Sequence, residues 1–478
     1  MNRIDAILML NIEQIKLGKM AIKLIFFFAI YICFPYILNA QPWPQPVLPD
    51  TASYGQYTSR TMHLLQTSTP ETPNTVKILV YGQSISVQDW WKEVKTTIQN
   101  RFPYANLIME NKAIGGFASQ MLCKTVEMDV STFYPDLVLL HIYGSNQLYD
   151  SVLFTIRSRT AAEVAIQTDH YTGESAWSDT MSYHFLPAMA EKYKCDLINI
   201  RDPWKKYLND HQLKPKDLLK DDVHLNKYGE FLMAELIKPF FQYKSKYKPD
   251  PFGLCTTLKA GKDFKIWKGK LELTFSGNRV DLIWHERGAS AKAKVLLDGQ
   301  KPSTFQGTYF MTRPYSVNGK AWPWDLPAMI HIDRKTPWVE EEWTCKFTEV
   351  TAPFEDFSFE ISGSVTGTDG AGKCSEDFVS KSGRVIIEKG DAEKGGDWHL
   401  NRSWKVLKTT VNTGDEVKWK TYSISSDVWQ PGSVGDEKGI STLFKGVPNT
   451  SHQLVLIPDK NEKLPISEIK VYRPFYNR

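Results

Sequence analysis

Cysteine is scarce in this chain: 478 residues contain only six. They are scattered, with no CxxC pair and no Cys/His cluster at metal-ligand spacing, so neither a disulfide scaffold nor a zinc module is encoded. Charge of one sign is also lacking. Lys and Arg total 58 against 54 Asp and Glu, a formal net charge of +4, which excludes a strongly basic nucleic-acid binder and an acidic solvating protein. No apolar run reaches the length of a comfortable membrane span. The longest, Leu24 to Leu38, is short and broken by Pro35. No glycine-rich run has phosphate-loop spacing. What is abundant is aromatic: 13% of residues, 15 of them Trp, in a chain whose 42% apolar content is that of a folded globular protein.

The short apolar run follows Lys19 and Lys23 and ends at Leu38-Asn39-Ala40, a small residue where a signal peptidase cuts. Residues 1–40 therefore read as a signal peptide, with export to the periplasm or beyond and no stable membrane span after cleavage. In an oxidising compartment Cys345 and Cys374 form a candidate bridge. Residues 41–74, rich in Pro, Thr and Ser, read as an extended leader.

From 75 to 247 short apolar runs alternate with helical periodicity. Lys77 to Tyr81 and Asp136 to Tyr143 have the texture of buried parallel strands, each closed by a glycine. Weaker strands follow at Asn106 to Glu110, Glu163 to Thr168 and Asp196 to Ile200, and Asn226 to Phe241 carries a helical apolar face. Such alternation implies a parallel sheet covered on both faces. From 248 to 478 the pattern becomes short alternating segments bounded by Gly, Asp and Asn, the mark of a β-sandwich. Within it 307–440 reads as a long insertion or a second β unit, and 361–397 as loop. Eight tryptophans, Trp322, Trp324, Trp338, Trp343, Trp398, Trp404, Trp419 and Trp429, fall in that part. They suit either a packed core or a sugar-stacking surface.

In an open α/β sheet functional groups gather at the carboxyl ends of the strands. Four short patterns fall there: Gly82-Gln83-Ser84-Ile85-Ser86, Gly115-Gly116, Gly144-Ser145-Asn146 and Asp221-Asp222-Val223-His224. A serine hydroxyl becomes a nucleophile when a base takes its proton. Ser84 is the candidate nucleophile, His224 the base, and Asp221 the carboxylate that fixes the imidazole tautomer. The N–H groups of Ser84 and Gly116 and the amide of Asn146 supply an oxyanion hole. Ser86 competes for the first role and Asp222 for the third. His141, on the buried strand, reads as a core histidine, and His170 as a loop residue or a cleft-lining one.

Together these blocks resemble those of the SGNH/GDSL hydrolases. Val80 to Ser86 is similar to the first block, with Gln83 where the family has Asp. Asn111 to Gly116 is similar to the second. Pro135 to Gln147 is similar to the third, with Gln147 in place of Asp, and Asp221 to His224 is similar to the fourth. The resemblance implies a flavodoxin-like three-layer α/β/α hydrolase, here followed by an all-β sandwich region, with a Ser84–His224–Asp221 triad and no cofactor. Gly277 to Trp284 and Ala293 to Gly299 resemble the jelly-roll modules of secreted bacterial carbohydrate esterases. The expected activity is removal of O-acetyl groups from an acetylated polysaccharide or oligosaccharide, with no nucleic-acid partner. The rivals are a lipid or thioester hydrolase on the same scaffold, and a carbohydrate-binding protein with a degenerate hydrolase domain.

Overall fold

The computed structural model describes residues 43–284, 291–314, 317–318, 328–390, 395–408, 410–433, 439–459 and 463–477. The segment 1–40 read as a signal peptide lies outside them, as do Trp322 and Trp324. Among the described residues no helix is long and apolar enough to cross a membrane.

Five parallel strands, β1 (Thr75–Gly82), β2 (Asn106–Asn111), β3 (Leu137–His141), β4 (Glu163–Gln167) and β5 (Asp196–Ile198), make the first sheet. Their order is β2-β1-β3-β4-β5, the flavodoxin-like order, which places its switch point between β1 and β3. The apolar runs are buried on both faces because side chains alternate across a strand. Leu79, Tyr81, Val138, Leu140, Val164 and Ile166 share one core with Leu122 and Val126 of the helix Ser119–Val126 and with Val152 and Ile156 of the helix Asn146–Arg159. Their neighbours Ile78, Val80, Leu137, Leu139 and Ala165 are equally buried on the other face. The helices Trp90–Arg101 and Lys227–Ile237 pack on each other there, burying Trp90, Val94 and Ile98 from one and Leu232 and Leu236 from the other. Each fully buried Val, Leu or Ile contributes about 1.5–3 kcal/mol.

Antiparallel structure follows. Strands β6 (Cys255–Lys259), β7 (Ile266–Trp267), β8 (Lys270–Trp284) and β9 (Ala293–Leu297) come first. Then come β10 (Tyr309–Met311), β11 (Glu341–Val350), β12 (Phe357–Gly363), β13 (Gly367–Lys373), β14 (Phe378–Val379) and β15 (Ile386–Ile387). The chain closes with β16 (Glu416–Ser423), β17 (Val428–Trp429), β18 (Ile440–Pro458) and β19 (Ile466–Tyr472). A seven-stranded sheet has the order β17-β9-β18-β8-β19-β6 with β7 paired to β8, and a five-stranded sheet has the order β10-β16-β11-β12-β13. The stretch 361–397, expected as loop, carries β13, β14, β15 and the end of β12. Phe357, Phe359 and Ile361 alternate into the core, and that burial outweighs the glycine-rich composition around them.

All five cysteines from Cys123 onward are free, so the candidate Cys345–Cys374 bridge is not formed. The register gives the reason. Cys345 pairs with Ile361 of β12, while the Cys374 N–H bonds Phe357 O at the far edge of that strand. With β12 between them and a four-residue offset along it, the two cysteines stand more than two strand spacings apart, over roughly 10 Å, beyond the reach of a disulfide.

The tryptophans divide cleanly. Trp343 and Trp419 stack at 6.1 Å inside the core of the five-stranded sheet, and Trp338, Trp398 and Trp404 pack against that core. Trp429 is buried in the core of the seven-stranded sheet.

Polar contacts lock these sheets to the parallel one. Arg313 grips the buried Asp129 through two hydrogen bonds of 2.6 and 2.7 Å and also donates to Lys112 O at 2.8 Å. Lys124 reaches the fully buried Asp397 at 2.8 Å. The Arg279 guanidinium lies over the rings of Tyr134 and Tyr472.

Candidate active site

β1 ends at Gly82, where the backbone passes so close to His141 O that a Cβ would collide with it. The chain then makes one helical turn, Ser84–Val87, with Ser84 as its first residue. Among the described residues the Ser84 hydroxyl makes no hydrogen bond, and the side chain is partly exposed. Ser86, the competing nucleophile, is 1% exposed, and its hydroxyl is sealed without a partner. The hydroxyl a substrate can reach is that of Ser84.

Asp221 and His224 meet. The carboxylate accepts from the backbone N–H of His224 at 2.7 Å and of Val223 at 2.9 Å, and its oxygens lie 2.9 and 3.0 Å from the imidazole Nδ1. These contacts, the His224 backbone N–H foremost, hold the Asp221 carboxyl down at about 2. With Nδ1 engaged, Nε2 is the nitrogen left for proton transfer, on a side chain 34% exposed. Asp222 is exposed, and among the described residues its carboxylate bonds to nothing.

Two clasps pin this loop to the sheet. Gln88, just past the serine turn, donates to Leu225 O at 2.7 Å and accepts from Leu225 N at 2.9 Å. His170 is buried and does not line the cleft; its Nε2 lies 2.8 Å from Val223 O. Its Nδ1 stands 2.9 Å from Asp169, which also lies 3.5 Å from His141 Nε2. Burial alone would push the Asp169 carboxyl up, but the two imidazoles, His170 first, outweigh it and hold it well below the usual carboxylate range. A buried polar chain thus runs beneath the Asp221–His224 loop. The sequence carries one sign of it, the Asp169-His170 pair just past a strand end.

Gly116 sits in the turn after β2 with φ of 75°, a conformation that favours glycine. Ile114 N bonds Gly82 O at 3.0 Å, and Asn111 Nδ2 bonds Ser86 O at 2.6 Å, so this turn is fastened to the serine turn. Among the described residues neither the N–H of Ser84 nor that of Gly116 donates to another group. Arg402, on the helix Leu400–Leu407 between β15 and β16, donates from Nη2 to Gly116 O at 2.8 Å, and a Cβ at 116 would strike its guanidinium. Beside this contact the rings of Phe117 and His399 lie 4.9 Å apart. The five-stranded unit therefore reaches the Gly116 turn, a contact that no local pattern signalled. Asn146 is exposed at the start of its helix, capped by Ser145.

Ser84, Gly116 and Asn146 thus stand at the carboxyl ends of three adjacent strands, β1, β2 and β3. His224 is joined to the Ser84 turn through Gln88. Among the described residues Ser84 makes no direct hydrogen bond to His224 or Asn146. A cavity of about 710 Å³ lies elsewhere, lined by Arg60, Asp136, Arg279 and Tyr472 among others, and none of the five site residues borders it. Among the described residues no group of three or more His, Cys, Asp or Glu is placed to hold a metal ion.

No family model matches the chain, and no curated protein does. Among solved structures it is similar to a two-domain esterase active on acetylated mannans, with 12% identity, a TM-score of 0.36, and coverage of 89% of this chain and 96% of that one. It is also similar to an acetylxylan esterase from Geobacillus stearothermophilus, with 17% identity, a TM-score of 0.33, and coverage of 36% of this chain and 96% of that one. A third likeness, at 19% identity and a TM-score of 0.32, is to an alpha/beta hydrolase from the metagenome of Lake Arreo, covering 37% of this chain and all of that one. Likenesses this distant say nothing by themselves about the chemistry of this chain.

Proposed function

We propose that this chain is an exported serine esterase of the SGNH/GDSL type that removes O-acetyl groups from a polysaccharide. In this reading 75–247 carries the chemistry and 248–478 is a jelly-roll-like β region. The observation that supports it most is the pairing of Asp221 with His224 Nδ1, on a loop clasped to the turn that presents Ser84. Ser84 Oγ attacks the acetyl carbonyl as its proton passes to His224 Nε2. The oxyanion is met by the unengaged N–H groups of Ser84 and Gly116 and by the Asn146 amide, each such donor being worth about 3–4 kcal/mol. The C–O bond to the sugar breaks as His224 returns the proton to the sugar oxygen. Water, deprotonated by His224, then releases acetate and restores Ser84. Ser84→Ala is expected to abolish p-nitrophenol release from p-nitrophenyl acetate, and undiminished activity refutes the assignment. Acetate release from a panel of acetylated plant and bacterial glycans identifies the polymer.

A further inference from the structure

Trp177 is set apart from the tryptophans packed into the β sheets. It lies on the short helix Ala176–Thr180, in the segment that follows β4, and is 49% exposed. Its ring rests on that of Tyr143, with centroids 5.3 Å apart at 59°. Tyr143 in turn stands edge-on to His141 at 5.2 Å, with its hydroxyl 3.3 Å from His141 Nε2. Tyr143 also belongs to the strand end that leads through Gly144 and Ser145 to Asn146. The exposed indole is thus fixed on a pedestal that continues into the candidate oxyanion hole.

The surrounding segment is braced as well. Asp179 takes Arg201 at 2.7 Å and Lys205 at 3.2 Å, and the Lys205 ammonium sits over the rings of Tyr171 and Tyr183. Tyr183 Oη donates to Asp202 at 2.6 Å. A half-exposed aromatic surface held in place before any ligand arrives loses little entropy on binding. By contrast Trp267, 75% exposed on a hairpin of the seven-stranded sheet, has no aromatic ring beneath it among the described residues.

We propose that Trp177 is the stacking platform of a pyranose subsite beside the Ser84 site, a proposal that rests on the ester-hydrolase reading above. The flat indole matches the C–H face of a pyranose ring, the apolar surface a sugar offers. Sheet order sets the arrangement along the rim of strand ends. Tyr143, on which Trp177 rests, follows β3, and β3 neighbours β1, whose end presents Ser84, while Gly116 with Arg402 follows β2 on the other side of β1. A polysaccharide crossing that rim presents its acetylated unit to Ser84 and a neighbouring unit to Trp177.

The test compares Trp177→Ala and Trp177→Phe with the parent on acetylated glucomannan, acetylated xylan and p-nitrophenyl acetate. Trp177→Ala is expected to raise KM for at least one polymer by 5–20-fold more than for the small ester, with Phe restoring part of the difference. An equal change on polymers and small ester, or no change on either polymer, overturns the platform. Polymer binding is read separately by affinity electrophoresis in the Ser84→Ala background. Retardation is expected to weaken when Trp177 is also replaced and to persist in a Trp267→Ala control. An equal loss in that control places binding on the hairpin and overturns the proposal. Because this arm needs no turnover, Trp177-dependent retardation together with a parent protein that lacks esterase activity would sink the catalytic reading and leave the subsite standing.

Discussion

The side-chain amide of Gln88 closes a two-bond ring on the backbone of Leu225, donating at 2.7 Å and accepting at 2.9 Å. One residue thereby ties the turn that presents Ser84 to the loop that carries His224. Gln88→Ala strips both partners from Leu225. At about 0.5–1.5 kcal/mol net per hydrogen bond, stability is expected to fall by about 1–3 kcal/mol. Urea denaturation reads that loss. In acetate-ester turnover kcat is expected to fall more than KM rises, since the base is loosened while the binding surface is kept. Unchanged kcat would remove the clasp from the mechanism.

Arg402 holds Gly116 O from outside the parallel-sheet part. A charge-assisted hydrogen bond of this kind is worth about 1.5–3 kcal/mol. Arg402→Met is expected to lower kcat on p-nitrophenyl acetate by roughly 10–100-fold, the same energy expressed as a rate. Arg402→Lys should recover part of it. A variant that unfolds like the parent and keeps full kcat would show that the contact is packing only.

With its carboxyl held at about 2, Asp221 stays ionised through the whole mildly acidic range. Loss of the Asp221 charge is then not expected to contribute to acid inactivation in that range. The acid limb of log kcat/KM against pH should rise with a slope of about one. A slope approaching two would mean that a second carboxylate, beyond Asp221, must also ionise.

Asp129 is buried, and Arg313 engages it with two hydrogen bonds. Removing one partner of such a pair leaves an uncompensated charge and costs about 3–5 kcal/mol. Arg313→Ala is expected to be destabilised by that amount in a urea titration. Because the pair joins the parallel and antiparallel parts, the parent should unfold in one transition by both Trp fluorescence and circular dichroism. Two well-separated transitions would show that the parts hold together weakly.

The parallel sheet was legible because its strands are unbroken apolar runs ended by glycine, as at Lys77 to Gly82 and Asp136 to Gly144. Candidate residues were legible because the fold puts them at strand ends, and Asp221 and His224 lie three residues apart in one turn. Other features left no local trace. Arg402 meets Gly116, and His170 meets Val223, across long stretches of sequence that periodicity does not bridge. β13 was hidden by its three glycines, and β12, which separates Cys345 from Cys374, runs into the stretch whose composition reads as loop. Trp177 stands apart from the tryptophans clustered at 322–429, and its exposure is set by the tertiary packing of the segment after β4 rather than by residue type.

The hydrogen bond from Arg402 to Gly116 and the ion pair from Lys124 to the buried Asp397 also bear on how such a protein can change over generations. A recombination event that moved the parallel-sheet part onto another carrier would deliver the Gly116 turn without Arg402. A substitution that displaced Arg402 would remove that hydrogen bond from the Gly116 turn. A change on either side of these contacts is therefore transmitted to the other part of the chain.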